Sequence, residues 1–124
     1  VAPRLPERCF ITHYPADQAV LARLDPADPR VAERFELFVQ GVEIANGFRE
    51  LTDAVVQRDR FEADQAARRA AGQTVMAIDE RLLAAMAAGL PDCAGVAMGL
   101  DRLFAIAMGA DSLADVIAFP WRRA

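Results

Sequence analysis

The alternation of apolar and polar residues predicts a β-hairpin in the first half of the chain. Apolar side chains occupy every second position over residues 35–39, which is the period of a strand with one buried face. Gly41 marks a turn, and the extended pattern resumes over residues 42–51 with an interruption at 46–47, where Asn-Gly stands. Two antiparallel strands are therefore expected here.

A further strand and a loop are predicted ahead of the hairpin. The β-branched and aromatic run at residues 8–12 is typical of a strand that ends near Tyr14, before Pro15. An amphipathic turn or short helix is expected over residues 16–24, and the prolines and aspartates at 25–29 predict a loop.

Beyond the hairpin the pattern becomes helical. Thr52 is the predicted N-cap of a helix that runs to about Ala71, and Leu51 and Val56 have the spacing of a hydrophobic staple across that cap. A second helix is predicted over residues 79–88.

The last third of the chain combines a strand with helices. The glycine-bracketed apolar segment 95–102 predicts a strand that leads directly into a helix over residues 103–108. Ser112 and Asp115 have the spacing of a capping box for a last short helix.

Composition narrows the class of protein. The 124 residues suffice for one domain over residues 1–124, and the net charge of −4 leaves no polycationic surface for a phosphate backbone, although all 14 basic residues are arginine. No apolar run reaches the ~20 residues of a membrane helix and no signal pattern opens the chain, so a cytosolic protein is expected. Cys9 and Cys93 are expected to be reduced thiols.

Three glutamates form the first candidate site. Glu36, Glu43 and Glu50 lie seven residues apart on adjoining extended segments. Carboxylates that project from one sheet face hold hard cations such as Mg²⁺, which shares them with nucleotide phosphates. Taken alone, the spacing is more often that of carboxylates on solvated strand edges, so both interpretations stay open.

A second candidate site is formed by three residues at every second position of the predicted second hairpin strand. Asn46, Phe48 and Glu50 would share one face of a strand. An amide, an aromatic ring and a carboxylate suit an ammonium group through charge pairing and cation–π contact. Taken alone, Phe48 is also compatible with the core.

Segment 95–102 holds the third candidate site. Its glycines permit close approach of a ligand, and Arg102 presents a planar fork of donors to a polyphosphate. The order Gly-x-x-x-Gly-x-Asp-Arg-Leu resembles motif 3 of the class II aminoacyl-tRNA synthetases. With Phe-Glu-Leu-Phe at 35–38 and Glu-Ile-Ala-Asn-Gly-Phe-Arg-Glu-Leu at 43–51, the resemblance narrows to the lysyl-tRNA synthetase group and covers nearly the whole chain.

This resemblance implies an α+β fold class, with a six- or seven-stranded antiparallel sheet and flanking helices, of which the chain would be the C-terminal half. It also implies ATP and Mg²⁺ as cofactors, adenylate formation from lysine or a lysine isomer, and a homodimeric parent enzyme. The sequence holds neither motif 1 nor motif 2 of the family. Residues 1–124 alone are therefore expected to form no adenylate and to expose an apolar face.

The resemblance also assigns roles to residues. The residues that match the magnesium site are Glu36 and Glu43. The residues that match the ATP site are Glu43, Ile44, Gly99 and Arg102. Arg102 is the catalytic residue, which contacts the γ-phosphate. Those matching the amino-acid site are Asn46, Phe48, Glu50 and Ala97. His13 matches no catalytic position. A core or interface position is expected for Met76, Cys93, Met98, Phe104, Phe119 and Trp121.

Two of these roles conflict with simple strand geometry. Strict alternation puts Glu43 on the face opposite Asn46, whereas the assigned roles require both to line one cavity. A bulge between Glu43 and Asn46 is therefore predicted.

Ala97 distinguishes two branches of the family. Lysyl-tRNA synthetases have glycine at this point of motif 3, and alanine resembles the short branch that ligates (R)-β-lysine to a lysine of elongation factor P. Residues 31–36, 45–48, 91–93 and 115–119 resemble that branch as well. The alternative is an authentic lysyl-tRNA synthetase with lysine tRNA as acceptor. A second alternative, from a different class, is a non-catalytic synthetase-like assembly or regulatory module.

Overall fold

The computed structural model describes residues 5–121, and within them the chain forms an antiparallel sheet with helices. The elements are β1 (Arg8–Pro15), a 3₁₀ turn (Ala16–Gln18), β2 (Val31–Val39), β3 (Val42–Arg49), α1 (Ala54–Ala70), α2 (Glu80–Gly89), β4 (Ala94–Met98), α3 (Leu100–Met108) and a 3₁₀ turn (Leu113–Asp115). The strands pair in the order β1-β2-β3-β4. The α+β class is confirmed. No helix of the described part is long and apolar enough to cross a membrane.

A two-residue turn joins β2 and β3. Gln40 and Gly41 both have positive φ, at 52° and 76°, as in the type I′ turn that matches the twist of a hairpin. The predicted interruption at residues 46–47 is wrong, because both lie inside β3. A Cβ at Gly47 would lie 2.6 Å from Cζ of Phe35, so the glycine serves close cross-strand packing and not a turn.

The region between β1 and β2 is more extended than predicted. β1 continues to Pro15 through an irregularity at His13, whose φ is 58°. The short helix expected over residues 16–24 is reduced to one 3₁₀ turn, because Ala22 and Leu24 form isolated bridges with the end of β3 and with β2.

Register and alternation sort the strand side chains into two faces. The polar face carries Tyr14, Arg34, Glu36, Glu43, Asn46, Phe48, Glu50 and Ala97. The apolar face carries Phe10, Phe35, Leu37, Ala45, Val96 and Met98. On the apolar face the rings of Phe10 and Phe35 meet edge to face, with centroids 5.8 Å apart.

The predicted bulge in β3 is confirmed. Leu37 pairs with Ala45, but the next residue of β2, Phe38, pairs with Glu43, which leaves Ile44 as the extra residue. Ile44 is 2% exposed, so its side chain secures the irregularity by burial. Because of the extra residue, Glu43 returns to the polar face.

The helix starts differ from the predictions by one to three residues. The N-cap of α1 is Asp53 and not Thr52, because the Asp53 carboxylate accepts hydrogen bonds from the backbone of Val55 and Val56 at 2.8 and 3.1 Å. The staple predicted for Leu51 and Val56 is wrong for the same reason, and Val56 is 39% exposed.

The junction of β4 and α3 also differs from the prediction. β4 covers only Ala94–Met98, and α3 begins at Leu100, three residues earlier than expected. The Gly99 N–H donates to the carbonyl of Ile44 at 2.8 Å, which ties this junction to the bulge. Arg102 therefore lies in the first turn of α3 and not ahead of it.

The Ser112 half of the predicted capping box is present at the 3₁₀ turn Leu113–Asp115. The Ser112 hydroxyl accepts from the Ala114 N–H at 3.2 Å. α2 is capped by Asp79 and begins at Glu80, one residue after the predicted start.

The buried core is small and its residues are mostly alanine. It comprises Ala19, Ala22, Ala32, Ile44, Ala45, Leu83, Met86 and Ala105. Five of the residues expected in the core or at an interface are not in the core, and for them an interface position stays a prediction: Met76, Met98, Phe104, Phe119 and Trp121, which are 48–92% exposed. Of these, Met98 lies with Phe10 and Val96 on the apolar face of the sheet, where all three are exposed within the described part of the chain.

Candidate active site

The predicted amino-acid residues come together on the polar face of β3 and β4. Asn46 pairs with Ala97 on one side and with Glu36 on the other, which makes a cross-strand row of three. Phe48 lies in the next row, opposite Gly95. The row thus places an amide beside a methyl group and a carboxylate.

Glu50 extends the same face by one further step. A Cβ at Gly95 would lie 2.9 Å from Oε1 of Glu50, so the glycine leaves room for this carboxylate. Glu50 is only partly exposed and follows Phe48 by two residues. An aromatic ring and a carboxylate in this arrangement suit an ammonium group.

The predicted ATP residues meet where the bulge of β3 touches the start of α3. Arg102 donates through Nη1 to the carbonyl of Glu43 at 2.9 Å, and the same nitrogen lies 4.0 Å from Oε2 of Glu43. A Cβ at Gly99 would lie 3.2 Å from Cδ of Arg102, so the glycine allows the arginine stem to lie flat there. A cavity of about 170 Å³ opens beside Arg102.

The sequence analysis missed two residues of the polar face, Arg34 and Tyr14. Arg34 Nη2 donates to Oε1 of Glu36 at 2.6 Å, and its Nε donates to Oδ1 of Asn46 at 3.2 Å. Its Nη1 donates to the carbonyl of Gln18 at 2.8 Å. The guanidinium carbon lies 4.4 Å from the ring centroid of Tyr14. The sequence signal that could have identified Arg34 was its distance of two residues from Glu36, which places both side chains on one face of a strand.

Tyr14 shares the environment of this ion pair. Burial, and after it hydrogen bonding to the Glu36 carboxylate, raise the pKa of the Tyr14 phenol well above its usual range. The phenol is therefore a proton donor at physiological pH. It faces an ion pair whose side chains are only 14% (Arg34) and 13% (Glu36) exposed.

The three glutamates do not form one metal cluster. Within residues 5–121 no group of three or more His, Cys, Asp or Glu is placed to hold a metal ion. Glu36 and Glu43 share the polar face. Glu43 pairs with Phe38 on β2, and Phe38 lies two residues from Glu36, on the same side of that strand. Two carboxylates fit Mg²⁺, because this ion usually takes one or two of them together with substrate phosphates.

A second arginine cluster lies outside the polar face. Arg49, at the end of β3, donates through Nε to Oδ1 of Asp92 at 2.8 Å and through Nη2 to Oδ2 of the same residue. Its Nη1 lies 3.4 Å from Glu33. Register puts Arg49 and Glu33 on the apolar side of the sheet, so this cluster joins the segment before β4 to the hairpin without entering the candidate site.

The chain belongs to the class II tRNA synthetase family. Residues 4–123 match the family described as tRNA synthetases class II (D, K and N).

Curated relatives place the chain near one member of this family. It is 58% identical over 115 residues to the elongation factor P (R)-beta-lysine ligase of Proteus mirabilis (strain HI4320), a match that covers 93% of this chain and 35% of the relative. It is 59% identical, with the same coverage, to the proteins of that name in Salmonella paratyphi B and Salmonella enteritidis PT4. The chain thus spans about a third of the length of the curated relatives it matches.

Proposed function

We propose that the protein containing this chain activates (R)-β-lysine with ATP and transfers it to a lysine of elongation factor P. The names of the relatives support this substrate and this acceptor. The observation that carries the proposal is the bulge at Ile44, because it returns Glu43 to the face that holds Asn46 and Phe48. Arg102 of α3 lies 4.0 Å from the Glu43 carboxylate. Residues suited to a polyphosphate thereby adjoin residues suited to an amino acid.

The reaction has two steps. In the first, a carboxylate oxygen of the amino acid attacks the α-phosphorus of ATP, a P–O bond forms, and pyrophosphate leaves. In the second, the acceptor amine attacks the acyl carbon, loses a proton, and AMP leaves. Arg102 would stabilise negative charge on the phosphates, since its side chain is 47% exposed and, among the described residues, only its Nη1 is engaged, by the Glu43 carbonyl.

The remaining roles follow from the chemistry of each side chain. Glu50 and Phe48 would receive an ammonium group, and the methyl group of Ala97 would shape the floor of the pocket. Glu43 would hold Mg²⁺ together with Glu36, which would have to share its carboxylate between the ion and Arg34. The bound ion would screen the charge of the phosphates. We further propose that the enzyme works as a cytoplasmic homodimer.

An authentic lysyl-tRNA synthetase is the second candidate, because the matched family includes the K enzymes. The first step would be the same. The acceptor would be a hydroxyl of lysine tRNA and not an amine.

Pyrophosphate exchange with the full-length protein tests the proposal. Exchange that depends on (R)-β-lysine, followed by a gain of one lysyl mass on elongation factor P, is expected. Acylation of lysine tRNA with no change in elongation factor P would favour the second candidate. Lack of amino-acid-dependent exchange would reject both. Residues 1–124 alone serve as a control and are expected to give no exchange.

A further inference from the structure

Arg34 connects three separate segments at the centre of the polar face. Its three nitrogens each donate one hydrogen bond: to Gln18 after β1, to Glu36 on β2 and to Asn46 on β3. The Tyr14 ring covers the guanidinium group at 4.4 Å, and the arginine side chain is only 14% exposed. Such a group has little freedom to turn, so the atoms it touches are held in place.

The contact with Asn46 fixes which way the amide faces. A guanidinium group has donors only, so the atom of Asn46 at 3.2 Å from Nε must be the amide oxygen. The NH₂ group then faces away from Arg34. Asn46 lies in the row between Glu36 and Ala97. Within residues 5–121 its only side-chain hydrogen bond is the one it accepts from Arg34, which leaves its N–H groups to a ligand on the polar face.

We propose that Arg34 is a positioning residue of the amino-acid site, which turns Asn46 so that it offers only N–H donors to the bound amino acid. This inference rests on the proposed function and deepens it. An N–H donor recognises an oxygen atom, here the carboxylate of the amino acid or the acyl oxygen of the adenylate. The ammonium group is then left to Glu50 and Phe48.

Asn46→Asp in the full-length protein tests the direction of the amide. One carboxylate oxygen would still accept from Arg34, so folding is preserved, but the other would replace the N–H donors with an acceptor. We expect the KM for (R)-β-lysine in pyrophosphate exchange to rise on the order of 10-fold or more, at least as far as in Asn46→Ala. If Asn46 instead faced an ammonium group, Asn46→Asp would keep or lower this KM, and that result would overturn the proposal.

Arg34→Lys tests whether the arginine acts through Asn46. A lysine keeps the positive charge but lacks the planar guanidinium that donates to three partners at once. The KM for the amino acid is therefore expected to rise roughly 10-fold in the wild-type background. In the Asn46→Ala background the same change should alter it less than about twofold, since no amide is left to orient. A purely structural role would give equal rises in both backgrounds, which would reject the inference.

Arg49→Lys is the matched control. Arg49 also links β3 to neighbouring segments, but it lies off the polar face, so its variant should leave the amino-acid KM within about twofold of wild type. Thermal unfolding of every variant checks that folding is retained. Absence of exchange in the wild-type protein would remove the proposed function and this inference with it. Equal effects of Arg34→Lys in both backgrounds of an active protein would remove the inference alone.

Discussion

The two ends of the polar face differ in how firmly their side chains are held. At the amino-acid end, Arg34 and Glu36 are 14% and 13% exposed and joined by a 2.6 Å hydrogen bond. At the nucleotide end, Arg102 and Glu43 are 47% and 40% exposed, and their charged atoms come no closer than 4.0 Å. The first end is organised within the described chain, while at the second only one backbone hydrogen bond holds the arginine.

This difference suits the ligands proposed for each end. A small amino acid must be distinguished from near relatives, which requires polar groups fixed before binding. A triphosphate brings its own charge, and a half-exposed arginine is accessible to it as charge develops. Changes at the nucleotide end should therefore affect rate more than stability, and changes at the amino-acid end should affect both.

The largest effect is expected for Arg102→Lys in the full-length enzyme. A point ammonium cannot reproduce a bidentate contact with phosphate, so the rate of pyrophosphate exchange should fall on the order of 100-fold. The thermal midpoint should not change, because the arginine is half exposed. Arg58→Lys is a control at similar exposure, in an ion pair with Glu80 on the helices, and should change neither quantity. Unaltered exchange in Arg102→Lys would make Arg102 a structural residue.

The contrast between the two ends was only partly predictable from sequence. Phe35 and its alternating neighbours predicted the hairpin, and the conflict between Glu43 and Asn46 predicted the bulge. The hairpin depends on local periodicity, which the sequence displays directly. The bulge was predicted only because the roles that the family resemblance assigns conflict with that periodicity. Helix starts were off by one to three residues because local hydrogen bonds decide them, as at Asp53.

Arg34 was missed for a different reason. The period of two links it only to Glu36. Its other partners lie on separate segments, Gln18 sixteen residues away and Asn46 on β3, and no periodic pattern encodes that meeting. The exposure of Phe119 and Trp121 could not be predicted from the hydrophobic pattern either, since hydrophobic character alone does not say what covers a side chain.

A smaller effect, on stability, is expected for Glu36→Gln. The glutamine can still accept a hydrogen bond, but the largely buried guanidinium of Arg34 loses its charged partner, which should cost about 2 kcal/mol. Glu43→Gln at the exposed end should cost less than about 0.5 kcal/mol. Equilibrium urea unfolding of both variants measures the difference. Equal losses would show that the two ends are held alike.

The smallest effect is expected for Ala97→Gly, and it concerns specificity alone. Ala97 pairs with Asn46, so its methyl group lies beside the amide that we propose contacts the carboxylate end of the amino acid. The α-amino group of lysine is attached next to that carboxylate and would crowd the methyl group, whereas an amine on the β-carbon lies one bond further away. Removing one methyl group is worth roughly 10-fold in discrimination, at the lower end of what such a contact provides. The ratio of exchange rates with α-lysine and (R)-β-lysine, measured for wild type and variant side by side, should move toward α-lysine by about that factor. An unmoved ratio, with Asn46→Ala still impaired, would leave Asn46 in the site and exclude Ala97 from the choice between isomers.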